Sequence, residues 1–303
     1  MCCSRKPSGN LAASHFAQRI RREAPVDRIQ IAGLIADRLS AEEDRMARDF
    51  RAPGRISAAC LDDLLPEAVA REIHDRFPPA DHMTLKRSIK EHKRVAAQMD
   101  HYDPLLEEAV YAFQDPRIVA SIGRITGLAA LEPDADLYAG GISLMSQGGY
   151  LRPHLDNSHD GDQARYRVLN LLYYVTPGWR EAWGGSLQLW DNGPLKRPRT
   201  IASRFNRLVL MVTNRASWHS VNEIRHPASR CCVSNYYFSK VSPDLADYFH
   251  ATSFRGESAG VSDLVMQADN ALRTTVLKTL PGVYRNPHAY RRPAALTGEP
   301  AHG

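Results

Sequence analysis

His154 and Asp156, two positions apart, carry the most specific chemistry in the chain. On an extended strand, positions i and i+2 point to the same side, so an imidazole and a carboxylate leave the backbone together. At that separation both can reach one metal ion. A third ligand, His219, stands far downstream in Ser217-Trp-His-Ser-Val221, and the fold must return it to the pair. Two histidines and one carboxylate on one face of a metal, with the other positions open, suit non-haem Fe(II). A structural zinc site would close its fourth position and would more often use cysteine. The H-x-D pair alone is a weak sign, because two such residues fall this close by chance in many proteins. Its surroundings sharpen it.

The elements around these residues read as strands. Gly140–Ser146 is one, and the turn at Gly148-Gly149 delivers Tyr150 and then His154. Arg167–Val175 is rich in β-branched and aromatic residues. Gly184–Trp190 alternates strictly after a glycine pair, and Arg207–Val212 reads as a buried strand leading to His219. Arg230–Phe238 is another strand, and its arginine stands eleven residues after His219.

In order, H-x-D, R-x-L-x-x-L-Y-Y, G-G-x-L-x-L, H-x-V and then R before an aromatic strand resemble the 2-oxoglutarate- and Fe(II)-dependent oxygenases. The likeness is greatest to their prolyl 4-hydroxylase-like branch. It covers roughly residues 56–241 and is strongest from Gly148 to Phe238. The resemblance implies that His154, Asp156 and His219 hold Fe(II). It further implies that 2-oxoglutarate fills two open metal positions, with O2 as second cosubstrate and ascorbate as a candidate reductant. The far carboxylate of 2-oxoglutarate needs a buried cation. Arg230 suits it, because guanidinium stays charged and pairs with carboxylate through two bonds; the bland alternative for Arg230 is a surface salt bridge.

The family's positions for further cosubstrate contacts fall on Asn170 and Tyr174, four apart on one strand face, and on Cys232. Three departures stand out. Asn170 has an amide where relatives carry a hydroxyl, Cys232 replaces a Ser or Thr, and the tyrosine often found on the strand before H-x-D is missing near Ser143–Met145. The implied reaction converts 2-oxoglutarate and O2 to succinate and CO2 while hydroxylating an unactivated C–H bond. Halogenating relatives lose the carboxylate that Asp156 retains. The substrate is open: a peptide or protein residue, an amino acid or a small metabolite. Arg152, Arg165, Trp183 and Trp218 are candidates to line the mouth, each equally readable as structural. A jelly-roll binding or sensor protein without catalysis is the alternative reading, and a zinc or nickel cupin-type enzyme is a third.

The 303 residues suffice for one large domain with appendages, and 43% hydrophobic content is enough for a globular core. No apolar run is long enough for a transmembrane helix. The first residues lack an apolar secretory core; they are Arg-rich, and a transit peptide is the lesser reading. The five cysteines, Cys2, Cys3, Cys60, Cys231 and Cys232, form neither a disulfide framework nor a zinc spacing, which points to a reducing cytoplasm. The formal charge of +5 is scattered, with Arg19, Arg21 and Arg22 near one end and Arg285, Arg291 and Arg292 near the other. That favours a solvated basic surface over a nucleic-acid partner.

The remaining elements follow from local signals. Residues 1–54 read as an N-terminal extension, with residues 1–27 loose and a helix over Ile29–Phe50. Residues 55–241 form the oxygenase-like domain, with its β core from about residue 137. A short strand precedes a helix starting near Pro66. The charged run at residues 80–102 (Lys86, Arg87, Lys90, His92, Lys93, Arg94) is read as solvated rather than substrate-contacting. Asp103-Pro104 and Asp115-Pro116 are N-cap-plus-Pro starts of two helices, with Gly127 ending the second. The loop Asn157–Gln163 reads as a polar surface, which makes His159 a decoy ligand. Residues 242–303 are a tail with helices at Pro243–Phe249 and Asp263–Leu280, able to pack on the barrel, dimerise or cover the cleft. Short strands with Gly/Pro turns after helices predict a mainly β fold with supporting α-helices, a double-stranded β-helix or jelly roll.

Overall fold

A computed structural model describes residues 26–279 except 139, 245 and 257–259. The two terminal arginine clusters and the expected looseness of residues 1–25 lie outside the described residues. In chain order the elements are α1 (Arg28–Phe50), β1 (Ala58–Leu61), α2 (Glu67–Asp75), β2 (Thr84–Arg87), β3 (Glu91–Ala96), α3 (Pro104–Ala112), α4 (Pro116–Thr126), β4 (Glu132–Pro133), β5 (Gly141–Met145), β6 (Tyr150–Leu155) and β7 (Tyr166–Tyr174). They continue with β8 (Leu187–Leu189), β9 (Arg199–Ile201), β10 (Arg207–Val212), β11 (His219–Val221), β12 (Arg230–Ser239), β13 (Ser253–Phe254) and α5 (Val261–Thr279).

The helix starts obey their local chemistry. Asp103 accepts from the Leu105 amide and Asp115 from the Arg117 amide, each followed by Pro at the first helical position. Gly127 ends α4 at φ 75°, a left-handed conformation that glycine adopts without steric cost. Asp27 and Gln30 form a reciprocal capping box at the start of α1. Ile31, Ile35, Leu39, Met46 and Phe50 of α1 are buried in the same continuous core as the barrel strands, so this helix is part of the domain's packing.

All described strand pairs are antiparallel. One four-strand run is β10-β7-β12-β5 and the other is β6-β11-β8-β9; β3 bridges them by pairing with both β5 and β6. From β5 to β12 the chain alternates between the two runs, with the β8–β9 hairpin wholly in the second, which is the double-stranded β-helix expected from sequence. The helices pack against the first run: Asn235 of β12 donates to the Val110 carbonyl of α3, and Tyr237 donates to that of Phe113.

Three expectations are corrected. The charged run at residues 80–102 is a β2–β3 hairpin integrated into the barrel, because β3 pairs on both sides. The described residues between Pro243 and Phe249 form turns rather than a helix. Tyr248 and Phe249 are drawn instead into an aromatic cluster with His159 and Tyr166. Ser158, His159 and Asp160 are buried for the same reason, so this loop is not a polar surface. No helix among the described residues is long and apolar enough to cross a membrane.

Candidate active site

His154 is the penultimate residue of β6 and His219 begins β11, and antiparallel pairing sets their Cα positions opposite one another. Their rings lie 4.1 Å apart between centroids. Asp156 follows β6 directly, with Oδ1 3.7 Å from Nε2 of His154 and Oδ2 3.5 Å from Nε2 of His219. One ligand atom from each of the three falls within 4.8 Å of the others, so a single ion could be held by all three. The ring tautomers are fixed from behind. Nδ1 of His154 lies 2.9 Å from the Arg152 carbonyl, and Nδ1 of His219 lies 2.9 Å from that of Ser217. Each Nδ1–H donates to a carbonyl, which leaves Nε2 as a lone-pair donor for metal.

Charge at the triad suits a cation. Burial alone would raise the Asp156 carboxyl; the Arg167 guanidinium and the two histidines outweigh it and hold the group well below the usual range. Burial, with His154 beside it, pushes His219 down to about 3, so its imidazole stays neutral. Both polar contacts to Asp156 fall on Oδ2: Asn170 donates through Nδ2 at 2.7 Å and Arg167 lies at 3.2 Å. Arg167 is itself fixed by Asn157 Oδ1 at 3.0 Å and by the Tyr236 ring, 3.7 Å beneath its guanidinium.

The triad opens into a cavity of about 550 Å³ that also contains Arg230, Tyr174 and Cys232. Arg230 is 4% exposed, and among the described residues it has no carboxylate within 4.0 Å. It donates to the Gly185 carbonyl at 3.1 Å and approaches Met145 Sδ at 3.1 Å, while its Nε has no partner among the described residues. The Tyr174 hydroxyl, buried and also without a hydrogen-bond partner among the described residues, belongs to the ring 5.1 Å from the guanidinium carbon. Burial pushes this phenol and the Cys232 thiol up, so both remain donors. A buried cation without a counter-charge costs several kcal/mol unless an anion joins it. The orphaned Nε and hydroxyl beside an open triad therefore fit a carboxylate-bearing metal chelator such as 2-oxoglutarate.

The glycine pair noted in the sequence makes this arrangement possible. Gly184 sits at φ 82°, where a Cβ would lie 1.9 Å from the Glu223 carbonyl. Gly185 sits at φ 73°, with a Cβ 3.3 Å from Cδ of Arg230. Only bare backbone lets this turn approach the arginine so closely.

Asn170 lines the cavity, yet its amide is committed to Asp156. Arg152, Arg165, Trp183 and Trp218 lie outside the cavity lining. The Arg152 guanidinium covers the Tyr150 ring, and Arg165 pairs with Asp160 and Glu132. Trp183 stacks on His226 at 3.8 Å, and the Trp218 carbonyl accepts from the Trp190 amide. His159 is bonded to Ser158 and takes no part in the triad.

Several further residues contribute. Arg167 is one. Phe254 of β13 pairs with His154 along the strand and stacks on its ring at 5.2 Å. Asn270 of α5 clamps Phe254 through both backbone groups, and Leu272, Arg273, Val276 and Leu277 of α5 border the cavity. The tail thus lies over the mouth. Lys86 and Lys93 of the β2–β3 hairpin also line the cavity. No local signal marks Phe254 or Asn270, since their roles depend on where the tail returns.

Residues 140–238 match the family model of the 2OG-Fe(II) oxygenase superfamily. In a search of curated proteins, nothing matches. Among solved structures, a Pseudomonas putida prolyl-4-hydroxylase is similar at 17% identity and TM-score 0.47, covering 66% of this chain and 98% of that one. A Trichoplax adhaerens prolyl hydroxylase, solved with a hypoxia inducible factor peptide fragment, is similar at 17% and 0.47, covering 70% and 96%. HygX from Streptomyces hygroscopicus, solved with nickel and 2-oxoglutarate, is similar at 10% and 0.46, covering 71% and 96%. In its strand order, its His-Asp-His triad and the match across residues 140–238, the barrel of this chain is similar to the 2OG-Fe(II) oxygenase superfamily.

Proposed function

We propose that the chain is an Fe(II)- and 2-oxoglutarate-dependent hydroxylase of the prolyl 4-hydroxylase-like branch, acting on an unactivated C–H bond of a small molecule or peptide. The observation that carries this reading is the buried, counter-ion-free Arg230 in the same cavity as the triad. His154, Asp156 and His219 are the metal ligands, with Asp156 ligating through Oδ1, the oxygen free of the Asn170 and Arg167 contacts. Arg230 and Tyr174 take the far carboxylate of 2-oxoglutarate, with the Cys232 thiol beside them. Asn170 and Arg167 orient Asp156 rather than touch the cosubstrate. When bound, Fe(II) and 2-oxoglutarate supply the oxidation: O2 gives one oxygen atom to succinate, with release of CO2, and the other to the substrate C–H.

The protein's share is placement and exclusion of water. Phe254 shields one face of His154, and α5 narrows the entrance. The described cysteines Cys60, Cys231 and Cys232 are all free, which supports a reducing compartment such as the cytoplasm. Anaerobic dialysis against Fe(II) tests the assignment: one iron per chain is expected, lost in His219→Ala, with succinate formed from 2-oxoglutarate on admission of air. Iron bound equally well by His219→Ala would refute the ligand set, and no succinate with any substrate would favour a binding protein.

A further inference from the structure

The β2–β3 hairpin brings two lysines face to face. Lys86 and Lys93 are direct partners in the antiparallel register, and both line the cavity. Like charges directly opposed on a strand pair are destabilising, so such a pair persists at a cost in stability. Lys93 has a partner in Glu91, at 3.1 Å, whereas Lys86 has no carboxylate within 4.0 Å among the described residues. Burial, then the nearby Lys93, lowers the Lys86 ammonium from its ordinary value, as expected for a cation short of counter-charge.

The cavity's charge balance agrees. Its lining holds five cations (Lys86, Lys93, Arg167, Arg230 and Arg273) against two carboxylates, Glu91 and Asp156, an excess of three. Arg273 and Lys90 share Asp269, and counting those two extra groups leaves the excess unchanged. Fe(II) and the doubly charged 2-oxoglutarate cancel one another, so the excess persists with both in place. Between the lysines and the tail the surface is apolar: Val95, Leu151, Leu272 and Val276 line the cavity, and Leu272 is 66% exposed.

We propose that Lys86 and Lys93 form the substrate's anion clamp, and that the substrate is an amphipathic anion: an apolar body bearing a carboxylate or a phosphate monoester. A low-dielectric cavity with unbalanced positive charge concentrates such ligands, and paired ammonium groups hold either head group by charge-assisted hydrogen bonds. The inference rests on the oxygenase reading only in taking this cavity as the substrate site.

Calorimetry on the full chain loaded with Mn(II) and saturating 2-oxoglutarate tests it without turnover. The probes are phenylacetate against phenylacetamide, and phenyl phosphate against phenol; the two arms separate carboxylate from phosphate. At least one anion is expected to bind about tenfold or more tightly than its neutral counterpart, the scale of one charge-assisted bond. Lys86→Gln with Lys93→Gln should erase that preference, and Lys86→Arg with Lys93→Arg should keep it. 2-Oxoglutarate, measured on the same samples, should still bind both double variants. Equal binding of anion and neutral counterpart, no binding by either anion, or a preference that survives the Gln substitutions would overturn the clamp. Failure of 2-oxoglutarate to bind the unmutated protein would instead sink the oxygenase reading, and the anion preference would then be read on the Mn(II)-only protein.

Discussion

Replacing Arg230 with Met separates a cosubstrate anchor from a structural arginine. The stem of Arg230 lies beside the Gly185 turn, so Met fills similar apolar space. The Gly185 carbonyl would not be orphaned, because the Ser203 hydroxyl also donates to it at 2.9 Å. Removal also relieves the burial of a cation that has no counter-charge. Without ligand, the variant should therefore melt at or above the wild-type temperature. With ligand the balance reverses. Breaking a buried charge pair costs roughly 3–5 kcal/mol, which raises the 2-oxoglutarate Kd by about a hundredfold to a few thousandfold. At a ligand concentration of about 100 Kd, wild type gains ~2.7 kcal/mol. For a chain of this size that is roughly a 4 °C rise in Tm. Thermal melts with Mn(II), with and without 2-oxoglutarate, should show that rise in wild type and almost none in Arg230→Met. A variant that keeps the rise, or that is strongly destabilised without ligand, would refute the assignment of Arg230 to the cosubstrate.

Three more outcomes are expected. Asn170→Ala removes the 2.7 Å donor to Asp156 and should weaken Mn(II) binding about 10- to 100-fold by calorimetry while leaving the melt cooperative. Gly184→Ala forces a Cβ onto the Glu223 carbonyl at a positive φ and should cost about 2–4 kcal/mol in denaturant unfolding. Asp263, held down to about 2 by hydrogen bonds from Arg255, anchors the start of α5. Because its folded pKa is depressed, its contribution, on the order of 2 kcal/mol, is present above about pH 4 and lost as pH falls toward 2. Hydrogen exchange in α5 should therefore quicken across that window, and Asp263→Asn should flatten the dependence.

The juxtaposition of His154 and Asp156 was legible in the sequence because its geometry is local: i and i+2 on a strand share a side whatever the rest of the chain does. His219 and Arg230 were legible because each borders a strand whose apolar pattern marks it as buried. Lys86 and Lys93 were not. A charged run has the composition of a solvated face, and only pairing of β3 with both β5 and β6 turns its alternate residues inward. Asn170 was placed on the correct face, but composition cannot say that its amide meets Asp156. Residues 243–249 carry helical spacing, yet packing of Tyr248 and Phe249 against His159 outweighs it.

One cavity is expected to hold Fe(II) on the triad and 2-oxoglutarate on Arg230. Anaerobic visible spectroscopy of the protein with Fe(II) and 2-oxoglutarate tests it most directly, through the weak charge-transfer band of an iron-chelated 2-oxo acid. The band is expected in wild type, absent in His154→Ala, and shifted to far higher 2-oxoglutarate concentration in Arg230→Met. No band in wild type, or one that persists unchanged in His154→Ala, would contradict the account.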